Sequence, residues 1–225
     1  DAVLALVTLA LIGCISLRYP QFAAPGNLAQ VLDDASILIL LALGQMLVIL
    51  ARGIDLSVAS NLALCGMIAA LFNRSFPDAG VASAIALALL SGTALGAFNG
   101  LLVWRLRLPA IVVTLGTLSI YRGLIYVLSE GTWINSNEMS TAFLDLTRAR
   151  LLGLSMVSWL AIGAAAFFWA LLRFTTFGRD LYASGGSPTA AAHVGIDAGR
   201  MQFFAFTIRG GPAGVWGYLW VSRFA

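Results

Sequence analysis

Lysine is absent from this chain of 225 residues and histidine occurs once, so all thirteen basic residues are arginines. The missing lysine carries no functional conclusion, but the scarcity of charge does. Charged side chains make up 10% of residues and hydrophobic ones 60%, whereas soluble domains carry roughly a quarter charged residues. That balance excludes an ordinary soluble domain and implies an all-α, polytopic helical membrane protein. Only two cysteines occur, Cys14 and Cys65, both inside apolar runs, which excludes a disulfide framework or a metal-binding spacing. The arginines are dispersed, with no basic stripe interleaved with aromatics, so nucleic acid is not an expected partner. No Gly-rich loop ends in Gly-Lys-Ser/Thr, so the chain itself binds no nucleotide. The lone His193 lies in a polar stretch, and the apolar runs hold no HExxH, no facing acids and no Cys/His set. A membrane-embedded hydrolase or transferase lacks its nucleophile and base, and no catalytic residue or metal ligand is assigned. Nor does any filter-like segment support a passive channel.

Long apolar runs are what the chain has instead. A helix needs about 20 residues to cross a bilayer, and runs near that length cover 2–17, 31–51, 56–72, 81–104, 109–129, 151–172 and 201–222. These give about seven candidate spans, with a signal peptide as the alternative for the first. Beginning at Asp1 without Met and stopping at Ala225 after an apolar run, residues 1–225 read as a single transmembrane domain, a fragment of a longer protein.

Polar interruptions carry the local signals. Residues 173–200 enclose a miniature helix marked at both ends. Ser187 suits the N-cap, Pro188 the first helical position, and Gly195 a left-handed close. Such a helix has about two turns and is too short to stand alone. It is either a small-faced knob meant to dock, with Ala191 and Ala192 on its surface, or an ordinary ordered loop. Between the second and third runs, ARGIDLSVAS is either a tight turn or a break in a helix at membrane depth. A break is tolerated there only if buried in protein or lining a cavity. Asp55 either caps a helix starting at Leu56 or belongs to a pathway or gate, since acids within membrane segments are functional suspects. Gly92, Gly96 and Gly100 share one helix face and predict a close helix contact, inside the chain or with a second copy. Thr114 and Thr117 can bond carbonyls of their own helix or face a pathway. Arg122, inside the 109–129 run, either snorkels, pairs within the bundle or meets substrate. Loop 130–150 is a partner surface or a solvated connector.

Three of these stretches resemble the permeases of bacterial ABC importers of the ribose/xylose/rhamnose type. GRDLYASGGSPTAAAHVGID is similar to the cytoplasmic loop of that family, with Ser187 where the family usually has Asn. GIDLSVAS at 53–60 resembles the family's GIDLSVGS, and PAIVVTLGTLSIYRG at 109–123 its TLGT…RG signature. Asn99 and Gly100 match an NG pair, and WVSRFA leans toward the rhamnose-importing branch.

The resemblance implies a permease subunit that forms the pathway for a monosaccharide, with a quorum signal as the alternative ligand. It makes 173–200 the cytoplasmic coupling loop, with Ser187, Pro188, Ala191, Ala192 and Gly195 at the contact with a separate ATPase that hydrolyses the ATP. It further implies a second permease subunit, identical or different, a periplasmic sugar-binding protein, a place in the bacterial inner membrane and further spans beyond this stretch. Placing the loop inside puts Arg52, Arg105, Arg107, Arg173, Arg179 and Arg200 on the cytoplasmic side. Arg18, Arg74, Arg148, Arg150 and Arg223 then lie outside, an excess of the expected sign. Arg209, Gly210, Gly211 and Pro212 depart from the family's small-residue run. A central charge costs about 2.5–3.5 kcal/mol on insertion scales, and proline removes a backbone bond. The departure reads as a local defect or a functional kink.

Overall fold

The structure, a computed structural model, describes residues 2–224; the two ends of the expected 1–225 domain lie outside the described residues. Each apolar run forms a helix: α1 (Ala2–Arg18), α2 (Pro25–Leu50), α3 (Val58–Ser75), α4 (Val81–Arg105), α5 (Ala110–Ser129), α7 (Met156–Phe174) and α10 (Ala198–Phe224). Between them lie α6 (Thr141–Arg148), α8 (Thr176–Gly186) and α9 (Pro188–His193). A two-residue hairpin, β1 (Arg150–Leu151) and β2 (Leu154–Ser155), pairs antiparallel with Arg150 opposite Ser155. The helix bounds have local causes. Pro25 opens α2 at its first turn, while Ser155 and Thr175 cap α7 and α8 by accepting the N–H of Ser158 and Gly178. The hairpin moves the start of α7 to Met156, later than the apolar run suggests, because 151–155 spend their backbone bonds on a turn.

Among the described residues, α2, α4, α5 and α7 are long and apolar enough to cross a membrane. For α1, α3 and α10 the spanning role remains a proposal.

Helix α10 sits at the centre, packed chiefly on α4 and then on α3 and α2. Its contact with α4 is backbone against backbone. A Cβ added at Gly92 or Gly96 would collide with the chain at Gly210, Gly214 and Phe206, and one at Gly210 would strike Gly92 and Gly96. Close approach of this kind replaces the hydrophobic driving force that lipid removes, through dense van der Waals contact. The glycine repeat is therefore an intrachain seam.

At the far end of the bundle, 130–155 is anchored to the core through α6, while most of 130–138 stays exposed. Phe143 and Leu144 of α6 are buried, and Phe143 O accepts from the hydroxyls of Tyr218 and Ser222, each at 2.8 Å. Asn73 and Ser140 exchange two hydrogen bonds, at 3.0 and 2.9 Å. Asp33 on α2 accepts from Ser158 Oγ at 2.6 Å and Ser155 N at 3.1 Å, tying the hairpin and α7 to α2.

Candidate functional site

The break between α2 and α3 is the first part of the site. Residues 51–57 leave the helix and fold back along it: Gly53 N–H donates to Val48 O at 2.8 Å, and the Gln45 side chain donates to Asp55 O at 3.3 Å. Gln45 precedes the end of α2 by five residues, about 7–8 Å at 1.5 Å per residue, so Asp55 lies well inside the bundle. In this break Ala51, Gly53, Asp55 and Ser57 are buried while Arg52, Ile54 and Leu56 are exposed, and Arg52 and Ile54 line a cavity, an arrangement in which unwound backbone is tolerated.

Asp55 is 2% exposed. Its Oδ1 accepts from the Ser57 backbone N–H at 2.8 Å and from Ser57 Oγ at 2.6 Å. Ser57 Oγ in turn accepts from Asn99 Nδ2 at 2.9 Å, and the Tyr121 hydroxyl lies 3.3 Å from Asn99 Oδ1 and 3.0 Å from Leu95 O. Helix α3 begins at Val58, not Leu56, and Asp55 bonds the N-cap residue Ser57, so the expected cap is corrected to a turn support one step earlier. The other carboxylate oxygen faces Arg209 Nη1 at 2.7 Å, with both side chains wholly buried. That contact is an ion pair whose N–H is not aimed along the line of a hydrogen bond. Arg209 Nε and Nη2, Asn61 Nδ2 and Gln45 Oε1 are likewise buried without a hydrogen-bond partner among the described residues.

This pair corrects the defect reading of 209–212. A lone arginine in an apolar helix is costly, but here the chain supplies the buried opposite charge from the α2–α3 break. The sequence singled out Arg209 but did not join it to Asp55. The available signal was an acid and a base each isolated in a membrane-grade stretch, which are expected to find one another.

Thr114 and Thr117 lie on the buried side of α5. Thr114 Oγ1 is 2.9 Å from Ala110 O and 3.2 Å from Ile54 O, so it touches the break as well as its own helix. Thr117 Oγ1 is 3.4 Å from Thr114 O. Arg122 is not brought to this centre. It sits on the exposed face of α5 with Ser119 and Tyr126 and forms no ion pair among the described residues. Among the described residues no three His, Cys, Asp or Glu side chains converge as metal ligands.

The second part is the capped loop. Ser187 Oγ accepts from Ala190 N–H at 3.3 Å, Pro188 holds the first helical position of α9, and Gly195 closes it at φ +83°. A left-handed φ of that size favours glycine because it has no Cβ. Ile196 N–H returns to Ala191 O at 2.9 Å. Ala191 is 2% exposed, packed inside the chain, so the expectation that it faces a partner is corrected; Ala192, Thr189, Ala190 and Val194 carry the outer face. Asp197 accepts from Arg200 N–H at 3.1 Å and from the Trp104 indole at 3.3 Å. The Arg200 N–H, foremost, holds the Asp197 carboxyl below its usual range.

The two parts are joined. Arg52, at the start of the break, donates from Nε to Gly185 O at 2.6 Å and from Nη2 to Gly186 O at 3.1 Å. Gln202 of α10 donates to Ala51 O at 3.0 Å. The loop therefore grips the same segment that carries Asp55.

Comparison with known proteins follows this geometry. Residues 27–225 match a family model described as branched-chain amino acid transport system / permease component. The chain is 38% identical over 224 residues to the autoinducer 2 import system permease protein LsrC of Yersinia pseudotuberculosis serotype O:1b (strain IP 31758), covering 99% of this chain and 62% of that protein. It is 38% identical over 206 residues to the protein of the same name from Escherichia coli (strain K12 / DH10B), covering 90% of this chain and 58% of that protein. The chain thus spans about three fifths of the length of these relatives. No solved structure matches it.

Proposed function

Because this chain belongs to the branched-chain amino acid transport system / permease component family, a transport component of the inner membrane and not an enzyme, we propose that it forms part of the solute pathway of an ATP-driven importer for a small sugar-like ligand. The observation that carries this reading is similarity along nearly the whole chain to permeases named for autoinducer 2 import. The rhamnose expectation accordingly gives way to its alternative, the quorum signal.

In this reading the end of the bundle bearing α9 is cytoplasmic, and α9 is the coupling helix for a separate ATPase that hydrolyses ATP. Ser187, Pro188 and Gly195 set its shape, and Ala192 with its exposed neighbours makes the contact. Motion of the loop reaches the bundle through Arg52 and the break at 51–57, so the Asp55–Arg209 pair acts as a gate element. The exposed face of α5, with Ser119, Arg122 and Tyr126, lines the pathway once a second permease, identical or different, covers it. An arginine left against hydrocarbon is costly, which supports a covered face. The opposite end, where Trp133 is exposed, receives a periplasmic binding protein.

Uptake of labelled autoinducer 2, rhamnose, ribose and xylose by cells expressing the full-length gene with its ATPase and binding protein tests this. ATP-dependent uptake of autoinducer 2 above the three sugars is expected. Uptake of rhamnose alone would return the ligand to the first expectation, and no ATP-dependent uptake would reject the importer reading.

A further inference from the structure

A cavity of about 850 Å³ opens at the α9 end of the bundle, between the break at 51–57, the α4–α5 turn and the start of α10. Its polar lining is Arg52, Arg105, Arg107, Gln202, Trp104 and Asp197. Three guanidinium groups thus face one carboxylate, and that carboxylate is committed: Asp197 already accepts from the Trp104 indole and from Arg200 N–H. Among the described residues none of the three arginines pairs with an acid. Arg52 spends Nε and Nη2 on backbone carbonyls, Arg105 stacks over Trp104 with 4.8 Å to the ring centroid, and Arg107 is exposed in the turn. The start of α5 also lines the cavity, and no side chain caps it. Its free N–H groups add positive potential to a site already rich in cation. Apolar side chains of the lining adjoin this charge: Ile54 and Leu108 are 51% and 41% exposed. The site lies where two apolar spans, α4 and α5, end beside a tryptophan, which is the level of the lipid headgroups.

A cationic pocket rimmed by exposed leucine and isoleucine suits an anion that is itself attached to hydrocarbon. We propose that this cavity seats the phosphate headgroup of an anionic phospholipid, with its acyl chains against Ile54 and Leu108. An acidic segment of a protein partner would use the charge but leave the apolar rim unexplained.

Native mass spectrometry of the full-length protein, presented with phosphatidylglycerol, phosphatidylcholine or inorganic phosphate, tests this. The wild type is expected to retain phosphatidylglycerol in preference to phosphatidylcholine. Each arginine near an anionic headgroup changes occupancy about fivefold, so Arg105→Gln with Arg107→Gln is expected to lower retention about thirtyfold. Arg18→Gln, at the opposite end of the bundle, is expected to leave retention unchanged. Should the double variant fail to fold, Arg107→Gln alone is expected to show the fivefold loss, because that side chain makes no bond among the described residues. Undiminished retention in the arginine variants, or equal retention of the two lipids, overturns the proposal. Displacement of the lipid by millimolar inorganic phosphate reassigns the pocket to free phosphate and overturns it as well. Loss of a co-purifying protein with lipid retention intact identifies a protein-docking surface instead, and equally refutes it.

Discussion

Replacing Arg209 with methionine strips the α2–α3 break of the buried counter-charge that faces it. Asp55 would then sit wholly buried with one oxygen on Ser57 and the other facing an apolar side chain. Breaking a buried pair from one side costs about 3–5 kcal/mol, because the remaining ion is left without compensation. Asp55→Asn strands Arg209 in the same way while keeping an acceptor for the Ser57 N–H, so it isolates the charge from the turn support. The double variant removes both ions and is expected to recover most of the loss of either single variant, so the two single costs are far from additive. Each single variant is expected to lower the melting temperature of the detergent-solubilised protein by on the order of 10 °C, read by size-exclusion chromatography after heating. The pair is also 0% exposed on both sides, so the shifts should persist in high salt, which screens surface pairs but not buried ones. A single variant as stable as wild type, or a double variant no better than the singles, would refute the reasoning. A joint replacement that would restore a small apolar run, Arg209→Ser with Pro212→Leu, splits into opposite effects. The first half is expected to destabilise. The second restores a backbone N–H for the carbonyl of Ile208 and is expected to stabilise, by up to about 3 kcal/mol.

Further tests follow from the seam, the loop and the orientation. Gly96→Leu is expected to abolish accumulation of folded protein, since its side chain would occupy the space of Phe206 and Gly210 backbone; normal abundance on a membrane blot would show that α4 and α10 can separate. Ala192→Asp is expected to keep normal abundance while losing a co-purifying ATPase and uptake, whereas Ala191→Asp buries a charge inside the chain and is expected to lower abundance itself. Equal behaviour of the two variants in pull-down and abundance would dismiss the division of α9 into an inner and an outer face. A cysteine at Asn137 is expected to react with a membrane-impermeant reagent in intact cells, and one at Thr189 only after the membrane is opened; labelling of both from one side would reject the topology.

The break at 51–57 connects these observations mechanically. It is held at its entrance by the loop, through Arg52 and the Gly185 and Gly186 carbonyls, and at its depth by α10, through Arg209. Few of its residues make regular helix bonds, so its position is set by those outside partners. A segment of that kind moves when either partner moves, which suits the proposed transmission between the α9 loop and a buried centre.

The amino-acid sequence by itself determined the elements. Run length placed the seven long helices, and proline, serine and glycine at 187–195 placed both ends of α9, because capping and φ preference act over a few neighbouring residues. The spacing of Gly92, Gly96 and Gly100 announced a close contact, since periodicity fixes which residues share a face. Periodicity does not say what lies opposite, and the identity of the partner, Gly210 and Gly214 of α10, came from the packed bundle. Asp55 and Arg209 were each legible as anomalies in apolar surroundings, and each invited a local explanation, a cap for one and a defect for the other. Only the tertiary structure joined them. A charge in low dielectric is tolerated according to what faces it, and that partner arrives by folding the break back into the bundle. Ala191 and Ala192 make the same point at the surface: identical side chains, adjacent in sequence, divided between interior and exterior by how one short helix docks.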